Sequence, residues 1–141
     1  MSNKHFLTAC ALLVASATGA MADSPWPAKI TGTWKGLSNQ SPIVLTVSTQ
    51  TTGAKCDNIA GTIHDVNGHF TGNMAGYYCP SSGTLQFLRY PANSTVAFQV
   101  YSASVSQAMP PQGEGILMGG VFSQYSTSYG PLGQYSFSLT K

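Results

Sequence analysis

The densest group of side chains able to do chemistry is His64-Asp65 with His69. Imidazole and carboxylate are both metal ligands, but a stable divalent site needs three or four of them converging. Asp65 alternates to the opposite face from His64 if the segment is a strand. Two imidazoles are left, so the expectation is solvated, turn-flanking histidines and no metal. Nucleophilic catalysis needs a nucleophile, a base and an orienting group. Serines are plentiful, yet no Gly-x-Ser-x-Gly elbow occurs. No phosphate-cradling glycine loop occurs either. The acids are too few to pair, and Glu114 stands apart in a Pro-Gly segment. The sequence therefore assigns no catalytic residue and no cofactor. An enzyme of unknown reaction is kept as the outsider.

Three other features could bind something. Arg89, the single arginine, lies in the apolar run LQFLRYP. It could hold an anionic ligand group, or it could be a strand-end charge at a rim. Tyr125, Tyr129 and Tyr135 cluster with Ser and Gln near the end of the chain. Tyrosine- and serine-rich loops make adaptable contact surfaces; half-buried tyrosines with wetted hydroxyls are the plainer alternative. Cys56 and Cys79 are the third feature.

The elements that must position these groups are strands. No helical period is sustained, while runs rich in β-branched and aromatic residues recur between Gly, Pro and Asn. About eight are expected: 30–36, 42–51, 56–66, 69–79, 83–90, 94–106, 115–126 and 133–140. Their connections are short, which favours antiparallel neighbours in chain order. The segment 107–114, QAMPPQGE, is excluded from strand by its prolines. Asn67-Gly68 predicts a two-residue hairpin turn. Its register sets Val66 opposite His69 and, ten residues out, Cys56 opposite Cys79. That register puts Ile59, Ile63, Phe70, Met74 and Tyr78 on the core face. Asn58, Thr62, His64, His69, Thr71 and Asn73 fall on the outer face. The cysteines fall on the outer side at a hydrogen-bonded pair, where a disulfide is less comfortable. In later strands Val96, Phe98 and Val100 share a face, as do Ile116, Met118 and Phe122, and Tyr135, Phe137 and Leu139. Eight strands with one apolar face each predict an all-β, antiparallel up-and-down barrel, with a two-sheet sandwich as the alternative.

The N-terminus reads as a secretory signal peptide over 1–22. Lys4 and His5 start it, Phe6 to Gly19 is apolar or small, and Ala20-Met21-Ala22 fits the cleavage rule. Leu7-Thr8-Ala9-Cys10 offers a rival, a lipoprotein anchored at Cys10. Cleavage after Ala22 leaves a single domain over 23–141, with five cations against four acids and a net charge of +1. No basic stripe points to nucleic acid, and no second apolar run is long enough to span a membrane. Cys10 leaves with the leader, so the remaining two cysteines read as a disulfide in a periplasmic or secreted protein.

The run Ile30-Thr31-Gly32-Thr33-Trp34 resembles the opening strand of the avidin and streptavidin family. Its Gly-x-Trp core is shared by lipocalins and other calycin barrels. The resemblance implies a small barrel in which Trp34 plugs one end and Gly32 lets the chain bend beside it. It also implies that a polar residue after the Trp, here Ser38, Asn39 or Ser41, touches a ligand. Arg89 and Phe98 complete the candidate ligand set. Biotin itself is not implied. Its tryptophan cage is missing, since the mature chain has only Trp26 and Trp34, and no Asp follows Asp65.

The expected function is an exported, non-catalytic binding protein holding a small apolar or amphipathic ligand in a barrel. The alternative is a protein-interaction module, such as a protease-inhibitor-like or surface-associated factor, using 107–114 or the tyrosine-rich end. Self-association is possible in either case.

Overall fold

The computed structural model describes residues 25–67, 70–106 and 115–141. The segment 1–22, read above as a leader, with Cys10, the segment 107–114 with Glu114, and His69 lie outside them. Eight strands follow in order: β1 (Gly32–Ser38), β2 (Ser41–Thr51), β3 (Asp57–Asp65), β4 (Thr71–Cys79), β5 (Thr84–Pro91), β6 (Gln99–Val105), β7 (Leu117–Ser126) and β8 (Gly130–Thr140). Each pairs antiparallel with the next, and β8 returns to β1, closing an up-and-down barrel. Closure leaves no unpaired edge. The sandwich alternative is thereby set aside.

Strict alternation builds the interior. Leu45 and Val47 of β2, Ile59 and Ile63 of β3, Met74 and Tyr78 of β4, and Leu85 and Phe87 of β5 are all buried. Mid-barrel, the side chains are aromatic. Tyr101 stacks between Phe87 and Phe122, with centroids 4.3 and 4.9 Å away. Phe137 meets Phe87 and Tyr101 edge-on. This layer divides the barrel into a filled body and an open mouth.

The filled end is covered by the segment 25–31. Tyr78 donates its hydroxyl proton to the Pro27 carbonyl at 2.7 Å. Gln50 fastens the segment twice, accepting from Ile30 N and donating to Ala28 O. Trp34 is fully buried there and donates its indole N–H to Ile30 O at 2.8 Å. The Lys141 ammonium stands 5.8 Å from the Trp34 ring centroid and bonds the Thr31 carbonyl. Gly32 has φ +120°, a conformation that carries the chain from this segment into β1.

Three expectations need correction. The β3–β4 register is as expected, with Asp57 opposite Tyr78 and Ile63 opposite Gly72, and Cys56 is bonded to Cys79. The hydrogen-bond phase is the other one. Asp65 N donates to Phe70 O, which makes 65 and 70 a bonded pair. Nine residues away, the cysteines then occupy a non-bonded pair, in keeping with their Cα separation of 4.1 Å. The β3–β4 ladder runs without a bulge; the β2–β3 ladder shifts register between Val47 and Thr49. Second, Phe70 is 67% exposed and so is no core residue. It stands just before β4, at the mouth, where no layer lies above it. Third, β6 is shorter than expected and turned over. Gln99, Tyr101, Ala103 and Val105 point inward, while Val96 and Val100 are exposed. Both sets of β6 residues alternate, and pairing with β5 decides between them: Gln99 sits opposite Arg89 and Ala103 opposite Leu85, whose side chains already face inward. The other expected inward sets hold, since Met118, Phe122, Phe137 and Leu139 are buried, with Ile116 and Tyr135 packed against them.

Candidate functional site

In an up-and-down barrel the odd-to-even hairpins gather at one end. Here the β1–β2, β3–β4, β5–β6 and β7–β8 connections rim the mouth. The first is a two-residue turn, with Asn39 at φ 45° and Gln40 at φ 66°. Both lie in the left-handed region that two-residue hairpins demand. Asn39 N also donates to Ser136 O, tying the turn to β8. The turn holds Ser38 and Ser41 opposite each other.

Within this rim is a recess of about 260 Å³. Ser38, Asn39, Ser41, Arg89 and Phe98, the whole candidate ligand set, line it together. Asp65, Phe70, Gln99, Phe122 and Gln124 also line it. These sequence reasoning did not assign to a ligand site. A signal for Gln99 existed in the β5–β6 register, but the misassigned face of β6 hid it. Phe70 shares the alternation of the core residues, and Gln124 carries no motif.

The floor is polar. Ser38, Arg89 and Gln99 are the buried polar side chains among the described residues, and all three meet there. Arg89 is 7% exposed. The alternation Leu85, Phe87, Arg89 turns it inward at the last interior position of β5, so it is no rim charge in solvent. Nη1 donates to Gln99 Oε1 at 3.1 Å, and Nη2 to the Phe70 carbonyl at 3.0 Å. Its guanidinium carbon lies 5.2 Å from the Phe98 ring centroid. Gly72 makes room for it: a Cβ there would come within 3.0 Å of Arg89 Nε and 2.6 Å of Tyr90 O. Gln99 is fixed in orientation by its neighbours. Its Oε1 also accepts from the Tyr101 hydroxyl, while its Nε2 donates to Gln124 Oε1. Burial pushes the Tyr101 pKa above its ordinary value, and the Arg89 charge and the Ser38 hydroxyl oppose that shift. Tyr101 therefore stays a neutral donor at neutral pH.

Phe98 precedes β6 and is held by its backbone. Its N–H donates to Arg89 O, and its carbonyl accepts from Tyr125 N. Asp65 is anchored on the lip, with Oδ1 accepting from Phe70 N at 3.2 Å. The arrangement can bind: it offers a cation, amide and hydroxyl donors, and aromatic faces in one concavity. Among the described residues no three His, Cys, Asp or Glu side chains come together as metal ligands.

At the rim, Tyr129 is 84% exposed and Tyr125 44%, while Tyr135 leans on Phe122 with centroids 5.3 Å apart. No helix among the described residues is long and apolar enough to cross a membrane.

Fold and site together define a small, closed, eight-stranded antiparallel up-and-down barrel, capped at one end and open at the other. No protein-family model, curated protein or solved structure matches the chain.

Proposed function

We propose that this is an exported binding protein of the calycin kind that takes one small amphipathic ligand in its open mouth and performs no chemistry on it. The observation that carries the reading is the convergence of Ser38, Asn39, Ser41, Arg89 and Phe98 on one recess above a floor of buried polar groups. A floor serving only stability would be apolar, because buried polar groups cost free energy unless fully satisfied. The volume suits a modest ligand. At roughly 30 Å³ per water-sized group, 260 Å³ holds on the order of nine non-hydrogen atoms. The aromatic layer of Phe87, Tyr101 and Phe122 stops a longer chain from passing deeper. Export is supported by the leader-like N-terminus and by the Cys56–Cys79 bond, which suits an oxidising compartment.

Native mass spectrometry of the mature protein tests the reading. A co-purifying or added small molecule bound at one per barrel is the expected result. A barrel that stays empty across a panel of small aromatic and aliphatic amphiphiles contradicts it.

A second reading has an observation of its own. Tyr77, Val100 and Val121 are partly exposed on the outer wall, around a shallow groove lined by Tyr77, Leu88 and Val100. A protein partner or a second copy would cover such a face. Light scattering and pull-down with Val100→Asp distinguish it: loss of association would favour this reading over the mouth.

A further inference from the structure

Resting on the mouth as the ligand site, we infer that the ligand is a small monoanion, a carboxylate, whose charged group is received by Arg89. Three observations converge. The guanidinium is more than nine-tenths buried, and its hydrogen-bond acceptors, the Gln99 amide and the Phe70 carbonyl, are both neutral. Its Nε is buried with no hydrogen-bond partner. A guanidinium has five N–H donors in a planar fork matched to a carboxylate, and two of them are accounted for by those acceptors. A buried cation without a counter-charge is costly, so such settings call for an anion.

The anion's place is the recess, because Arg89 lines it. A single charge fits best, since among the described residues Arg89 is the sole cation of the lining and Asp65 stands on the lip. A dianionic phosphate would leave uncompensated charge beside that Asp. The Ser38 and Gln99 groups on the floor supply neutral hydrogen bonding, and Phe98, Phe122 and Phe70 flank the space an apolar body would fill. Benzoate and phenylacetate are of the right size.

The protein supplies its own reporter. Arg89 is the only arginine, so the ¹⁵N-labelled protein gives one arginine Nε–H resonance. The wild-type mature protein is titrated with benzoate, phenylacetate and hexanoate, and with their primary amides, which keep size and shape but lose the charge. The inference expects one or more carboxylates to shift that resonance, and the matching amide to bind about tenfold or more weakly. Carboxylate affinity should also fall as salt is raised. Amides binding as tightly as acids, or an Arg89 resonance indifferent to a saturating carboxylate, would overturn the inference while leaving the mouth as a neutral-ligand site. Neither series binding at all would overturn the mouth reading with it.

Discussion

A guanidinium held inside a barrel by two neutral acceptors and a ring is an expensive choice for a fold whose other interior residues are mostly apolar. Replacing a buried, unpaired charge with an apolar side chain of similar reach is often neutral or stabilising. Arg89→Met is therefore expected to leave the unfolding free energy within about 1 kcal/mol of wild type, or to raise it. Urea denaturation checks this, and a loss of several kcal/mol would mean that Arg89 is structural. Tyr78 shows burial acting on another ionisable group. Burial, helped by the Asp57 charge, pushes its pKa up to about 12. The folded barrel thus holds this proton more tightly than the unfolded chain, whose tyrosines ionise near 10. The stability so gained is complete below pH 10 and is lost as pH rises from about 10 towards 12. Alkaline denaturation followed by tyrosinate absorption should show ionisation of Tyr78 coinciding with unfolding, and Tyr78→Phe should weaken the dependence.

At the scale of elements, the tight β1–β2 turn places a non-glycine residue, Gln40, at φ 66°. Glycine fits that conformation without steric cost. Gln40→Gly should stabilise the protein by about 0.5–1 kcal/mol, measurable as a rise in the midpoint of thermal unfolding. The disulfide joins residues 23 apart, from the segment entering β3 to the end of β4. Replacing both cysteines by serine should cost about 3 kcal/mol by the loop-entropy argument, compared under identical denaturant conditions. These elements were legible to different degrees. The eight strands and the β3–β4 register could be read because Gly, Pro and Asn punctuate the chain and the interior faces alternate. The hydrogen-bond phase could not, because Asn67-Gly68 signals a two-residue turn whereas Asp65 and Phe70 are the bonded pair. The direction of β6 was ambiguous because Val96, Phe98 and Val100 alternate as well as Tyr101, Ala103 and Val105. Only pairing with β5, a long-range fact, chooses between them. The candidate ligand residues converged in space, although Gly-x-Trp, chain order and the rarity of arginine were all that marked them. Their polar partners Gln99 and Gln124 had no local signature.

For the whole molecule, closure and capping leave a recess at the open end of the barrel, and the two ends are built differently. Trp34 belongs to the capped end. Trp34→Ala should destabilise by about 3–5 kcal/mol through the cavity it leaves. The mouth, at the opposite end of the barrel, is expected to keep its ligand specificity as long as the variant folds. The account as a whole rests on the mouth being where this protein meets its ligand. Backbone amide shift mapping of the mature protein, titrated with phenylacetate, tests that most directly. The account predicts perturbations concentrated at Ser38, Asn39, Ser41, Phe98, Gln99 and Gln124. Saturable shifts confined to Tyr77, Leu88, Val100 and Val121 on the outer wall would contradict it.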